Sequence, residues 1–163
     1  TLTCRSFDGA KTGYTTTYNF RMLCNPRDKT SEKLVRYTDT RTTFLGCVNR
    51  WQSGAPAWAG LHIFARYQTE DNLYVASWRM DGKCTIKKKI NGVYTTLKQA
   101  TYGAPGLGDE HVMIFEVNGS LLSYFIDGKL ALQVNDKDLE WGTNGIRTDY
   151  SDSYVDYLKI ADV

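Results

Sequence analysis

The side chains best suited to chemistry in this sequence are His62, Arg66, Tyr74, Trp78, Lys87 and Lys89. Flat aromatic rings stack on the C–H faces of a pyranose, and long cations donate hydrogen bonds to hydroxyls or carboxylates. Together on one surface, the six make a binding face for a polysaccharide, and Arg66, Lys87 and Lys89 favour an acidic one. They converge only if the intervening backbone turns them the same way, so the question passes to the elements that carry them.

Asx-Gly pairs punctuate the chain at Asp8-Gly9, Asp81-Gly82, Asn91-Gly92, Asn118-Gly119, Asp127-Gly128 and Asn144-Gly145. Such pairs supply the positive φ angles of a type I′ hairpin turn. Between them lie runs of strand length: Leu61–Tyr67, Leu73–Met80, Thr85–Ile90, Val112–Val117, Leu121–Ile126 and Leu130–Val134. They are rich in Ile, Val, Phe and Tyr and lack a helical period, which predicts an antiparallel β-sandwich or barrel. Read as a two-residue loop, Asp81-Gly82 sets Trp78 opposite Thr85, Ala76 opposite Lys87 and Tyr74 opposite Lys89. Leu73, Val75, Cys84, Ile86 and Ile90 then form the core face, with Lys88 among them. In the preceding strand Leu61, Ile63 and Ala65 face the core, while His62, Phe64 and Arg66 face away. Strand side chains alternate with period 2, so each of these assignments rests on the register of its turn.

Other chemistries find less support. No His, Cys and Asp group has transition-metal spacing. A Ser-His-Asp nucleophile is set aside because no nucleophile-elbow motif is present. Lys87-Lys88-Lys89 alternate between faces on a strand, which argues against a nucleic-acid patch. His111, after Asp109-Glu110, reads as structural. Asn118-Gly119-Ser120 is a glycosylation sequon by pattern and a turn former by position.

The whole chain is consistent with one domain over 1–163. Its 163 residues can bury a substantial core. A 42% hydrophobic and 23% charged composition excludes wholesale disorder. Net charge of +2 gives no electrostatic reason to expect nucleic acid. No apolar run approaches the roughly 20 residues that span a bilayer as a helix. Eleven Tyr, four Trp and three Pro favour strands. Cys4, Cys24, Cys47 and Cys84 contain no CxxC pair, so one or two disulfides in a secreted protein are expected, with three full pairings open and buried free thiols in a cytosolic protein as the alternative. No charged-then-apolar leader precedes Thr1, which a secreted protein would have lost.

Several longer stretches add a resemblance. Ala59–Gln68 with Glu70–Tyr74, Phe115–Gly119, Phe125–Leu130, Trp141–Ile146 and the closing Tyr154–Ile160 resemble the concanavalin A-like lectin/glucanase domains, in particular their laminin-G-like branch. The resemblance covers roughly residues 44 to 163 and does not extend to the first 40, which carry Cys4 and Cys24. It implies a jelly roll of two curved antiparallel sheets, with carbohydrate on the concave sheet or on rim loops. It also implies alternatives. The compact paired-carboxylate strand motif of the family's hydrolases is missing, and Asp109, Glu110, Asp149, Asp152 and Asp156 are scattered, which argues against glycoside hydrolysis. A small polysaccharide lyase would need a base and a carboxylate neutraliser, for which His62, Arg66 and Tyr74 are the candidates. A protein-binding adhesion domain is the third reading. Related jelly rolls often hold a structural calcium through a final-strand Asp and oxygens early in the chain, here Asp156 and Asp8.

Overall fold

The computed structural model describes residues 2–3, 13–15, 19–23 and 36–163. Thirteen strands are formed by them: β1 (Leu2–Thr3), β2 (Gly13–Thr15), β3 (Asn19–Leu23), β4 (Thr40–Trp51), β5 (Gly60–Thr69), β6 (Asn72–Arg79), β7 (Lys83–Ile90), β8 (Val93–Thr101), β9 (His111–Asn118), β10 (Leu121–Ile126), β11 (Lys129–Asn135), β12 (Thr143–Asp149) and β13 (Ser151–Asp162). No helix occurs among the described residues. A seven-stranded sheet runs β1-β13-β4-β9-β10-β11, with β2 also on β13, and a six-stranded sheet runs β3-β12-β5-β6-β7-β8. Every pairing is antiparallel, so the fold is the expected all-β antiparallel sandwich.

The core is built from the facing sides of both sheets. Phe44, Met113, Phe115, Leu122, Tyr124 and Leu158 come from one sheet, and Leu61, Ile63, Tyr74, Ala76, Trp78 and Ile86 from the other. Each fully buried large apolar side chain contributes roughly 1.5–3 kcal/mol relative to exposure. Asn144 crosses the gap, its amide donating to the hydroxyls of Thr40 and Thr42 at 2.7 and 2.6 Å.

The turns explain one error of register. At Asn91-Gly92 and Asp127-Gly128 both residues have positive φ, and each forms a two-residue loop between paired strands. At Asp81-Gly82 only Gly82 does, at 82°. Its N–H donates to the Arg79 carbonyl at 3.0 Å, and the Asp81 carboxylate accepts from Lys83 N–H at 3.1 Å. This is a three-residue loop ending in a left-handed glycine, a type I turn with a bulge. Trp78 therefore pairs with Cys84, Ser77 with Thr85, Val75 with Lys87 and Tyr74 with Lys88. The one-residue slip turns all of β6 over: Tyr74 and Trp78 enter the core, and Val75 and Ser77 leave it. The faces expected for Leu61, Ile63 and Ala65, and for Cys84 and Ile86, agree with the structure.

Cys47 and Cys84 are buried free thiols, so neither takes part in a disulfide. Burial pushes the Cys84 thiol up to about 12, which makes it chemically inert. Cys4 and Cys24 lie outside the described residues.

Candidate functional site

Antiparallel pairing sets same-face residues opposite one another across the strands. On the outer face of the six-stranded sheet, His62 of β5 stands opposite both Arg147 of β12 and Ser77 of β6, and Ser77 stands opposite Thr85 of β7. This row forms the floor of a cleft of about 410 Å³. Arg79, Lys87, Tyr94 and Trp58 complete its polar and aromatic lining. Trp58 and Tyr94, each 44% exposed, are open to solvent, whereas His62, Ser77 and Thr85 are buried.

The polar groups of the cleft fall into two kinds. Ser77 Oγ is hydrogen-bonded to His62 Nδ1 at 2.7 Å, and Asp149 Oδ2 lies 2.6 Å from Nε2 as a close ion-pair contact without hydrogen-bond geometry. The charge of the carboxylate beside Nε2 favours the ring proton on that nitrogen, which leaves Nδ1 to accept from the Ser77 hydroxyl. Burial, then the Arg147 charge, pushes His62 below its usual range, against the opposing pull of Asp149. Burial works to raise Asp149, but His62 and Arg147 outweigh it and hold the carboxyl low. Arg147 Nε lies 2.9 Å from Asp149 Oδ1, and its guanidinium is 5.7 Å from the Phe64 ring centroid.

The second kind has no such partners. Lys87 has no carboxylate within ion-pair distance among the described residues, and desolvation followed by Arg79 pushes its ammonium down. Thr85 Oγ1 and Arg79 Nε are buried without a hydrogen-bond partner, although Arg79 reaches Asp81 at 2.7 Å through Nη2. Buried polar atoms are normally satisfied, so unpaired donors beside a cleft point to a ligand that supplies acceptors.

Of the six residues singled out in the sequence, the structure gathers His62 and Lys87 in this cleft. Lys89 lies on the same face, 5.0 Å from the Tyr94 ring centroid and 3.8 Å from Asp71. Tyr74 and Trp78 are on the opposite, core side for the register reason already given. Trp78 donates to the Gly103 carbonyl at 2.6 Å, and Tyr74 donates to Asp136. Arg66 is also diverted. A bulge between β5 and β6 and a φ of 47° swing it inward, where it donates to the carbonyls of Thr38 at 3.0 Å and Leu139 at 2.7 Å. The trio required by a lyase is therefore divided, with His62 on the outer face and Arg66 and Tyr74 on the inner side. His111 packs edge-on against Trp78 at 4.7 Å and contacts Asp127 at 2.7 Å.

Asp156 is exposed at a bulge in β13, and Asp8 lies outside the described residues. Among the described residues no three His, Cys, Asp or Glu converge, so they do not by themselves make a calcium cage. Ser77, Thr85, Arg79 and Arg147 were hidden by the misread turn or by the lack of a motif. Tyr94 was accessible from the Asn91-Gly92 turn, which sets it opposite Lys89.

No family model and no curated protein matches the chain. Solved structures do. The carbohydrate-binding module CBM66 from Bacillus subtilis superposes with a TM-score of 0.70 at 11% identity, over 99% of this chain and 91% of that one. A Bacillus subtilis protein of unknown function with a galectin-like fold gives 0.66 at 12% identity, covering 98% and 86%. A variant of human galectin-16 gives 0.62 at 9% identity, covering 91% and 97%. At these identities the likeness establishes the fold alone, a two-sheet antiparallel β-sandwich like that of the carbohydrate-binding module and the galectins.

Proposed function

We propose that this domain binds carbohydrate, and specifically an acidic polysaccharide, in the cleft on the outer face of its six-stranded sheet. The observation that carries the reading is Lys87, which sits with Arg79 and Arg147 around one cleft and has no carboxylate of its own. A uronate carboxylate or a sulfate supplies the missing negative charge, and sugar hydroxyls supply acceptors for Thr85 and Arg79. Trp58 and Tyr94 offer exposed rings for stacking. The fold's likeness to a carbohydrate-binding module and to galectins supports the same reading. Polysaccharides of this kind are extracellular, and we place the domain outside the cell.

A glycan array carrying uronate, sulfated and neutral polymers tests the proposal. Binding to acidic polymers should weaken as salt rises, since exposed charges are screened over about 10 Å at 0.1 M. Salt-insensitive binding to neutral glycans would remove the acidic specificity. An array with no signal, set beside capture of a protein ligand, would favour the laminin-G-like adhesion reading.

A further inference from the structure

We propose that the cleft is also an acyl-transfer centre, in which Ser77 is the nucleophile, His62 its base, Asp149 the residue that positions His62, and Thr85 a hydrogen-bond donor to the oxyanion. Its substrate class is an ester on a sugar hydroxyl. The sugar part of that assignment rests on the carbohydrate-binding reading; the hydrolytic chemistry does not.

Nucleophilic catalysis by serine requires three relations: a nucleophile hydrogen-bonded to a base, a base oriented by a third group, and donors beside the reacting carbon. All three occur along one row across β12, β5, β6 and β7. Ser77 Oγ is 2.7 Å from His62 Nδ1. Asp149 Oδ2 is 2.6 Å from Nε2 as an ion-pair contact, and its charge draws the ring proton to that nitrogen, away from the one that faces Ser77. On the other side of Ser77 stands its cross-strand partner Thr85, fully buried, with a hydroxyl that bonds to nothing. A histidine merely satisfied inside a fold needs Ser77 and Asp149 and accounts for both. It does not account for an unpaired buried hydroxyl next to the serine, nor for the cleft that opens onto the pair. Burial, then the Arg147 charge, pushes His62 below its usual range, so the ring rests neutral, while the Asp149 carboxylate beside Nε2 opposes that push and supports the imidazolium that forms.

The reaction closes without a further reagent. Ser77 Oγ bonds to the acyl carbon while its proton passes to His62 Nδ1, and the carbonyl oxygen gathers negative charge within reach of Thr85. The bond from acyl carbon to sugar oxygen breaks, and that oxygen takes the proton from Nδ1. Water then attacks the acyl-serine, gives a proton to Nδ1, and the carboxylic acid departs as the proton returns to Ser77. The sum is ester plus water giving alcohol plus acid. The order of ring nitrogens is the reverse of the usual serine-hydrolase arrangement, but either nitrogen of imidazole can accept the proton.

The experiment measures p-nitrophenyl acetate turnover by the whole chain and maps the adduct of a fluorophosphonate by mass spectrometry. The adduct should fall on Ser77, and Ser77→Ala should lower turnover about 100-fold or more. Thr85→Val, nearly isosteric, should lower kcat with little change in KM. Asp149→Asn should move the midpoint of the rate–pH profile, which a purely structural aspartate would leave in place. Should Asp149→Asn fail to fold, the Ser77→Ala rate and the adduct position decide the matter. An adduct elsewhere, no adduct, or unchanged turnover in Ser77→Ala would overturn the proposal. Ester turnover without glycan binding would sink the binding reading alone, and glycan binding without turnover would sink this one alone.

Discussion

Two polar clusters lie on opposite sides of the same strands, and their residue types are nearly alike. On the inner side, Arg66, Tyr74 and Lys88 meet Asp39, Asp136 and Asp138. On the outer side, Arg79, Lys87 and Arg147 gather with His62, Ser77 and Asp149. The inner cluster is closed: Arg66 donates to two carbonyls and Asp39, Lys88 is shared by two carboxylates, and Tyr74 OH donates to Asp136 and accepts from Leu139 N–H. The outer one is open, with an unmatched ammonium, an unpaired hydroxyl and an unpaired guanidinium nitrogen. Residue type does not separate a structural cluster from a candidate site. Hydrogen-bond completeness does, because a group already satisfied has little to offer a ligand.

Mutations break the comparison from the inner side first. Trp78→Ala removes a buried indole and its bond to Gly103, and should cost roughly 3–5 kcal/mol in urea unfolding. Arg66→Ala leaves the Thr38 and Leu139 carbonyls unpaired and should cost roughly 2–3 kcal/mol. On the outer side the balance reverses. Lys87→Ala should leave the unfolding free energy from urea titration within about 0.5 kcal/mol of the parent, since it breaks no ion pair. It should nonetheless weaken an acidic glycan about tenfold, or about 1.4 kcal/mol, in a calorimetric titration. A Lys87→Ala protein that unfolds readily but binds normally would erase the distinction between the two clusters.

Much of the fold was legible because alternation and turn chemistry are local. Leu61, Ile63 and Ala65 declare a buried face, and Asn91-Gly92 and Asp127-Gly128 form the two-residue turns their types favour. The site was less legible because it hangs on a single φ angle. Asp-Gly serves a two-residue turn and a three-residue turn with a bulge equally well, and only the sign of φ at Asp81 separates them. That one angle decides whether Trp78 or Ser77 accompanies His62. Arg66 was misplaced for a related reason: a bulge has no period to announce it. The partnership of His62 with Asp149 joins strands far apart in sequence, and no local pattern reports it.

Acid sharpens the comparison through His62. Its pKa is lowered in the folded state, so between that value and the usual 6.5 the unfolded chain binds the extra proton. Stability is then complete above pH 6.5 and falls as pH drops through that window. Asp149, also lowered, adds a loss below the usual carboxylate value of 3.8. Melting temperature should therefore decline from pH 7 toward pH 5, and His62→Gln should flatten that slope. A slope unchanged in His62→Gln would mean that the outer cluster does not titrate as its burial implies.

The smallest effect concerns calcium, which belongs to neither cluster. We propose a weak ion at Asp156, where the β13 bulge between Val155 and Tyr157 turns an exposed carboxylate out of the ladder. Calcium takes six to eight hard oxygens, and a site with one carboxylate among the described residues must draw the others from carbonyls, water and groups outside those residues. Few fixed charges mean weak binding, so the gain by mass action should be no more than about 1 kcal/mol at millimolar calcium. For a chain of this size that is a rise in melting temperature of about 2–4 °C, reversed by chelator. Asp156→Asn should abolish the rise while leaving the pH slope and glycan affinity of the outer face untouched, because Asp156 is on the other sheet. A melt indifferent to calcium and chelator would remove the ion from this fold. A calcium effect that survives Asp156→Asn would move it elsewhere in the chain.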